Sequence, residues 1–100
     1  MGKVIWNPLA LYDLQRIGEY MRETTPWKEQ QFLGDIVEKT EQLEHQPHSG
    51  QKISSLDITG QEVRTLLVTK NLRVLYRVMP NDDVFIIQVL DLRSDRPFYR

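Results

Sequence analysis

The apolar positions change period partway along the chain. Between residues 8 and 46 they recur every three or four positions, and between 63 and 92 they alternate or run together. Ala10, Leu14, Ile17 and Met21 mark one face of a helix, with Asp13, Arg16, Glu19 and Glu23 largely off it. Asn7-Pro8 starts that helix: Asn caps, and Pro fits the first turn because its missing N–H would have no partner there. Thr24-Thr25-Pro26 repeats the signal, so a second helix runs from about Pro26 to about Gln46. Its apolar set is Phe32, Leu33, Ile36, Val37 and Leu43, and Pro47 and Gly50 end it. A link this short folds the two helices back as an antiparallel hairpin.

Four segments read as strands: 3–6 (KVIW), 63–68 (VRTLLV), 72–79 (LRVLYRVM) and 84–92 (VFIIQVLDL). Lys70-Asn71 and Pro80-Asn81-Asp82-Asp83 carry turn chemistry, and short links make the last three strands antiparallel neighbours. In the middle one Leu72, Val74, Tyr76 and Val78 share a face, while Arg73, Leu75, Arg77 and Met79 share the other, wetter one. The last is apolar on both sides, as a central strand is. Residues 51–62 are polar and turn-like. The predicted fold is α+β in the order β-α-α-β-β-β, with the helical hairpin packed on one face of a mainly antiparallel four-stranded sheet.

With 100 residues, 40% of them hydrophobic and 27% charged, the chain is expected to form one domain over 1–100. It has no cysteine, which excludes disulfides and thiolate metal sites. No apolar run reaches bilayer length and no secretory signal is apparent, so a cytoplasmic protein with no membrane association is expected. The net charge of −1 argues against general nucleic-acid binding. The distribution refines this: residues 1–63 hold six Lys/Arg against ten Asp/Glu, and residues 64–100 hold seven against four. The back of the chain is locally basic.

Arg64, Arg73, Arg77, Arg93 and Arg96 come from the predicted strands or the exit from the last one. Gathered on the face the helices leave open, they would grip phosphate or carboxylate through paired hydrogen bonds. The alternative is that they are solvated cross-strand partners of Glu62, Asp91 and Asp95. His45 and His48 have ligand-like spacing, but no third ligand is evident, and a helix C-terminus favours His through its dipole. Glu38, Glu41 and Glu44 read as a solvated helix face, and Trp6 and Trp27 as core or interface anchors. No cofactor or metal is implied.

Four stretches in this order, "NPLALYDLQRIGEYM", "EKTEQLEHQPHSG", "VRTLLVTKNLRVLYRV" and "VFIIQVLDLRSDRP", resemble the RelE/ParE superfamily of bacterial type II toxin–antitoxin toxins. The resemblance covers nearly the whole chain. It implies a growth-arresting, plasmid-stabilising type of toxin, a cognate antitoxin partner, and contact with DNA only indirectly through the antitoxin complex.

Within the superfamily, ParE-like members poison DNA gyrase and RelE-like members cut mRNA on the ribosome without a metal. The RelE-like reading would make Arg73, Arg93 and Tyr99 catalytic. Of two further lysine positions in that family, Arg64 here keeps the charge and Leu66 loses it. A sequence pI of about 6.1 suits a protein target better than the phosphate-dense ribosome. The long hairpin, Pro47-x-x-Gly50 and "LRSDRP" also look more ParE-like. The favoured expectation is therefore a gyrase poison that is not an enzyme, with Arg64, Arg73, Arg77, Arg93 and Arg96 as target-binding residues. The mRNA endoribonuclease is the alternative, and an inert relative that only binds antitoxin is a third possibility.

Overall fold

A computed structural model describes residues 2–54 and 61–92. Strand β1 (Val4–Trp6) leads into helix α1 (Pro8–Thr24), a 3-10 turn (Pro26–Lys28) and helix α2 (Glu29–His45). Strands β2 (Gln51–Lys52), β3 (Glu62–Thr69), β4 (Leu72–Val78) and β5 (Val84–Asp91) follow. The sheet therefore has five strands rather than four, in the order β1-β5-β4-β3-β2. The added strand, β2, is two residues long and exists only by pairing with Thr65 and Arg64, so no local periodicity announces it. β1 runs parallel to β5 and the other pairs are antiparallel.

The helix boundaries follow from capping. The Asn7 side chain accepts a hydrogen bond from the Leu9 N–H at 2.9 Å, with Pro8 in the first turn. The second proline signal produces the 3-10 turn first, so α2 proper begins at Glu29. Arg22 and Glu29 pair at 2.7 Å across the elbow. Both helices lie on one sheet face. Ala10, Ile17, Met21, Phe32, Ile36 and Leu43 pack there against Leu66, Val74, Tyr76, Ile86 and Val89. Leu33 and Val37, assigned by spacing to the apolar face of α2, are instead 47% and 57% exposed, on the flank of the buried stripe.

Two features depart from the alternating pattern. The register between β4 and β5 shifts at Leu75/Tyr76, leaving Ile87 as an extra residue on β5. The bulge resets the alternation, so Ile86 and Val89, three apart, both face the helices.

The second is Asp13, expected off the core face but buried, its carboxylate accepting a long 3.4 Å hydrogen bond from the Val89 N–H. β1 ends beside Ile86, so among the described residues β5 runs on without a strand on that side, and Asp13 takes the place of a strand carbonyl. Burial pushes its carboxyl above the ordinary 3.8, partly offset by the Val89 N–H and the Arg16 charge. Native Asp13 thus holds its proton more tightly than the unfolded chain does. Stability falls as pH rises through the interval just above 3.8. Asp83, held below the ordinary value by the Lys3 N–H, acts in the opposite sense and below 3.8. Asp13→Asn keeps an acceptor and removes the charge. It is expected to equal or exceed the parent's stability at pH 7 and to flatten the decline above 3.8, measured by urea unfolding across pH. Asp13→Ala, which leaves the Val89 N–H unpaired, is expected to cost about 1–3 kcal/mol.

Candidate functional site

Strand pairing assigns each sheet residue to a face, because directly opposed residues project to the same side. Arg73 of β4 stands opposite Leu67 of β3 and Leu90 of β5, and Arg77 stands opposite Val63 and Phe85. Leu75 lies between them, opposite Thr65 and Gln88. Among the described residues no helix covers this face. Arg73 and Arg77 are four residues apart on one strand, so their Cα atoms are separated by about 13 Å. The result is a strip, cation–leucine–cation, flanked by apolar residues at both ends and by Thr65 and Gln88 in the middle.

The two ends of the strip differ. Beside Arg73, Leu67 is 42% exposed; beside Arg77, Val63 is buried. Arg77 Nη1 is sealed from solvent without a hydrogen-bond partner, as is Thr65 Oγ1 on the neighbouring strand. A buried donor without a partner is costly, but one sealed from solvent is out of reach of an incoming acceptor, which leaves Arg73 as the cation at the open end of the strip.

Arg64 does not share this face. It stands opposite Tyr76, on the helix side, which corrects the expectation that it joins the open cluster. Its side chain is 16% exposed and fully engaged: Nη1 donates to the Gly50 carbonyl at 2.7 Å, and Nε and Nη2 each lie 3.0 Å from Glu62 Oε2. Glu62 pairs with Arg64 as expected, but from two residues away on the same strand rather than across strands. Glu62 also meets Lys52 at 3.8 Å and His48 at 3.6 Å, so His48 borders a carboxylate beyond the end of α2. Leu66, the position that would need a cation for RelE-like chemistry, lies in the core. Arg93, Arg96 and Tyr99 lie outside the described residues.

One constellation escaped the sequence reading. The fully buried Tyr76 donates its hydroxyl to the Pro47 carbonyl at 2.9 Å and accepts from the Gly50 N–H at 2.9 Å. Burial raises the phenol above its ordinary 10.0, which keeps it protonated and able to donate. Tyr76 and Arg64 together latch the α2–β2 connection to the sheet. The one available signal was a polar-tipped aromatic inside an otherwise aliphatic strand face, which requires a buried partner.

Three comparisons bear on this arrangement. The family model for "ParE toxin of type II toxin-antitoxin system, parDE" matches residues 4–96. No curated protein matches the chain. Among solved structures, one titled "Chromosomal ParDE TA system from P. aeruginosa" superposes with a TM-score of 0.67, covering 89% of this chain and 94% of that one. At 24% identity that likeness speaks for the fold.

Proposed function

The chain belongs to the ParE toxin family of type II toxin–antitoxin systems, and from that premise we propose that it arrests growth by poisoning DNA gyrase when free of its antitoxin. The observation that carries the reading is the family match over nearly the whole chain. The face that would meet gyrase is the side of the sheet opposite the helices, where Arg73 and Arg77 flank Leu75; Arg93 and Arg96 come after β5 in the sequence. Guanidinium groups set beside apolar side chains suit a protein surface that offers carboxylates beside aliphatic side chains. The antitoxin neutralises the toxin with an acidic segment. The free toxin acts in the cytoplasm, and among the described residues no helix is long and apolar enough to cross a membrane.

The geometry favours this over mRNA cleavage. A phosphate lying on the open face beside Arg73 meets neither Arg64, which is tied to Gly50 and Glu62 on the other side, nor a cation at Leu66. Charge stabilisation and proton transfer at one phosphorus need groups within a few ångströms of the reacting atoms.

Pulsed expression without antitoxin, following DNA breakage and protein synthesis separately, tests the proposal. DNA breakage with filamentation is expected before translation declines. Immediate translation arrest with intact DNA would place the target on the ribosome, and no growth defect would leave only an antitoxin-binding module.

A further inference from the structure

Helix α1 carries a second stripe beside its buried one. Tyr12, Arg16, Tyr20 and Glu23, spaced four, four and three, fall along one line off the core face of Ala10, Ile17 and Met21. All four are exposed, Tyr12 at 57% and Tyr20 at 58%. Trp27, in the 3-10 turn just past the helix, is 74% exposed. Three large aromatics in succession form a patch rather than scattered exposed side chains, and such patches mark interaction surfaces. The Arg16 guanidinium lies over the Tyr12 ring, 5.6 Å from its centroid, an attraction that holds the cation on the stripe. Glu19 lies off this line, toward Arg22. The Arg73 strip is on the other side of the sheet and uses none of these residues.

We propose that this stripe is a homodimer interface, in which α1 helices of two copies pack antiparallel about a two-fold axis beside Tyr20. The occupant follows from the order of the charges. Along the helix, Arg16 lies about 6 Å to one side of Tyr20 and Glu23 about 4.5 Å to the other. Turned end for end, a second copy sets its Glu23 against Arg16 and its Arg16 against Glu23. One stripe is thus the complement of itself, as an isologous contact requires. The same operation stacks Tyr20 on Tyr20 of the other copy. It also brings Tyr12, about 12 Å from the axis, to the end where Trp27 of the other copy stands. A partner of another kind would have to supply both charges in that order. Two packed helices bury less than the roughly 1,200–2,000 Å² of a stable interface, so the dimer is weak and concentration-dependent. Both Arg73 strips, on the sheet faces opposite the helices, stay outside it.

Sedimentation velocity of the full chain at rising concentration tests the interface, and the parent is expected to pass from monomer to dimer. Arg16→Glu sets like charges together at both ends of the contact and is expected to raise the dimer dissociation constant by about tenfold or more; Glu23→Arg should do the same. Mixed in equal amounts, the two variants regain both ion pairs, and the mixture is expected to dimerise as the parent does. Both positions are exposed, so circular dichroism and the urea midpoint of each variant should match the parent. A second readout is independent of these charges. The chain has no cysteine, so Tyr20→Cys introduces a single thiol beside the axis. On mild oxidation it should give a disulfide-linked dimer faster than Glu41→Cys, at an exposed position of α2. A parent that stays monomeric, single variants that dimerise as it does, a mixture no better than its components, or equal cross-linking at the two positions would overturn the proposal. None of these readouts involves toxicity, so their failure leaves the toxin reading standing.

Discussion

Arg73→Glu is expected to abolish growth arrest while leaving the fold intact. Arg73 sits on the sheet face opposite the helices, at the open end of the strip beside the 42%-exposed Leu67, and among the described residues no helix packs on it. Reversing its charge converts an attraction for a partner carboxylate into repulsion. Losing one member of a desolvated charge pair costs about 2–5 kcal/mol of binding, more than a hundredfold in affinity at the upper part of that range. Far-ultraviolet circular dichroism and the urea midpoint should match the parent. Arg73→Lys keeps the charge but loses the planar fork, and should retain part of the activity. An Arg73→Glu chain that is folded and fully toxic would remove the sheet face from the mechanism. A chain that unfolds would show that Arg73 contributes to stability.

A large stability effect is expected at Gly50. A Cβ added there would come within 2.5 Å of the Tyr76 hydroxyl oxygen and 2.6 Å of the Thr65 carbonyl oxygen, well inside contact distance. Neither neighbour can yield cheaply. The phenol is fixed by Pro47 and Gly50, and the carbonyl belongs to the β3 backbone. Gly50→Ala should therefore cost about 1–3 kcal/mol through overpacking. For a chain of this size each kilocalorie lowers Tm by roughly 4–8 °C. Tyr76→Phe isolates the hydroxyl: it relieves nothing and leaves the buried Gly50 N–H unpaired, for a loss of about 1–3 kcal/mol. In the double variant the penalties should fall short of additive, because both act on the same contact. Strict additivity would mean that Gly50 and Tyr76 do not share one latch.

Much of this architecture is legible along the chain. Asn7-Pro8 announces α1 because the cap is local: the acceptor and its donor are two residues apart. The faces of β4 follow from alternation alone, since Leu72, Val74, Tyr76 and Val78 are all buried and Arg73 and Arg77 are not. The orientation of Arg64 is different in kind. Alternation places it opposite to Val63, but which of the two joins Arg77 depends on the register between β3 and β4, and one residue of slip exchanges the faces. Asp13 was obscure for a related reason: its partner, the Val89 N–H, is 76 residues away and becomes available only because β1 is short and β5 bulges. Spacing also overstated the core of α2, where Leu33 and Val37 flank the buried stripe. Arg73 was legible as a surface cation, whereas the α2–β2 latch required the folded sheet to bring Tyr76 beneath Pro47 and Gly50.

The central claim is that the sheet face opposite the helices grips gyrase through its arginines. The most direct test incubates purified chain with gyrase, ATP and supercoiled plasmid, then traps cleaved DNA with detergent and counts linearised molecules. The account predicts dose-dependent linear DNA with the parent chain and none above background with Arg73→Glu. Equal cleavage by both proteins, or no cleavage by a parent chain that arrests growth in cells, would contradict it.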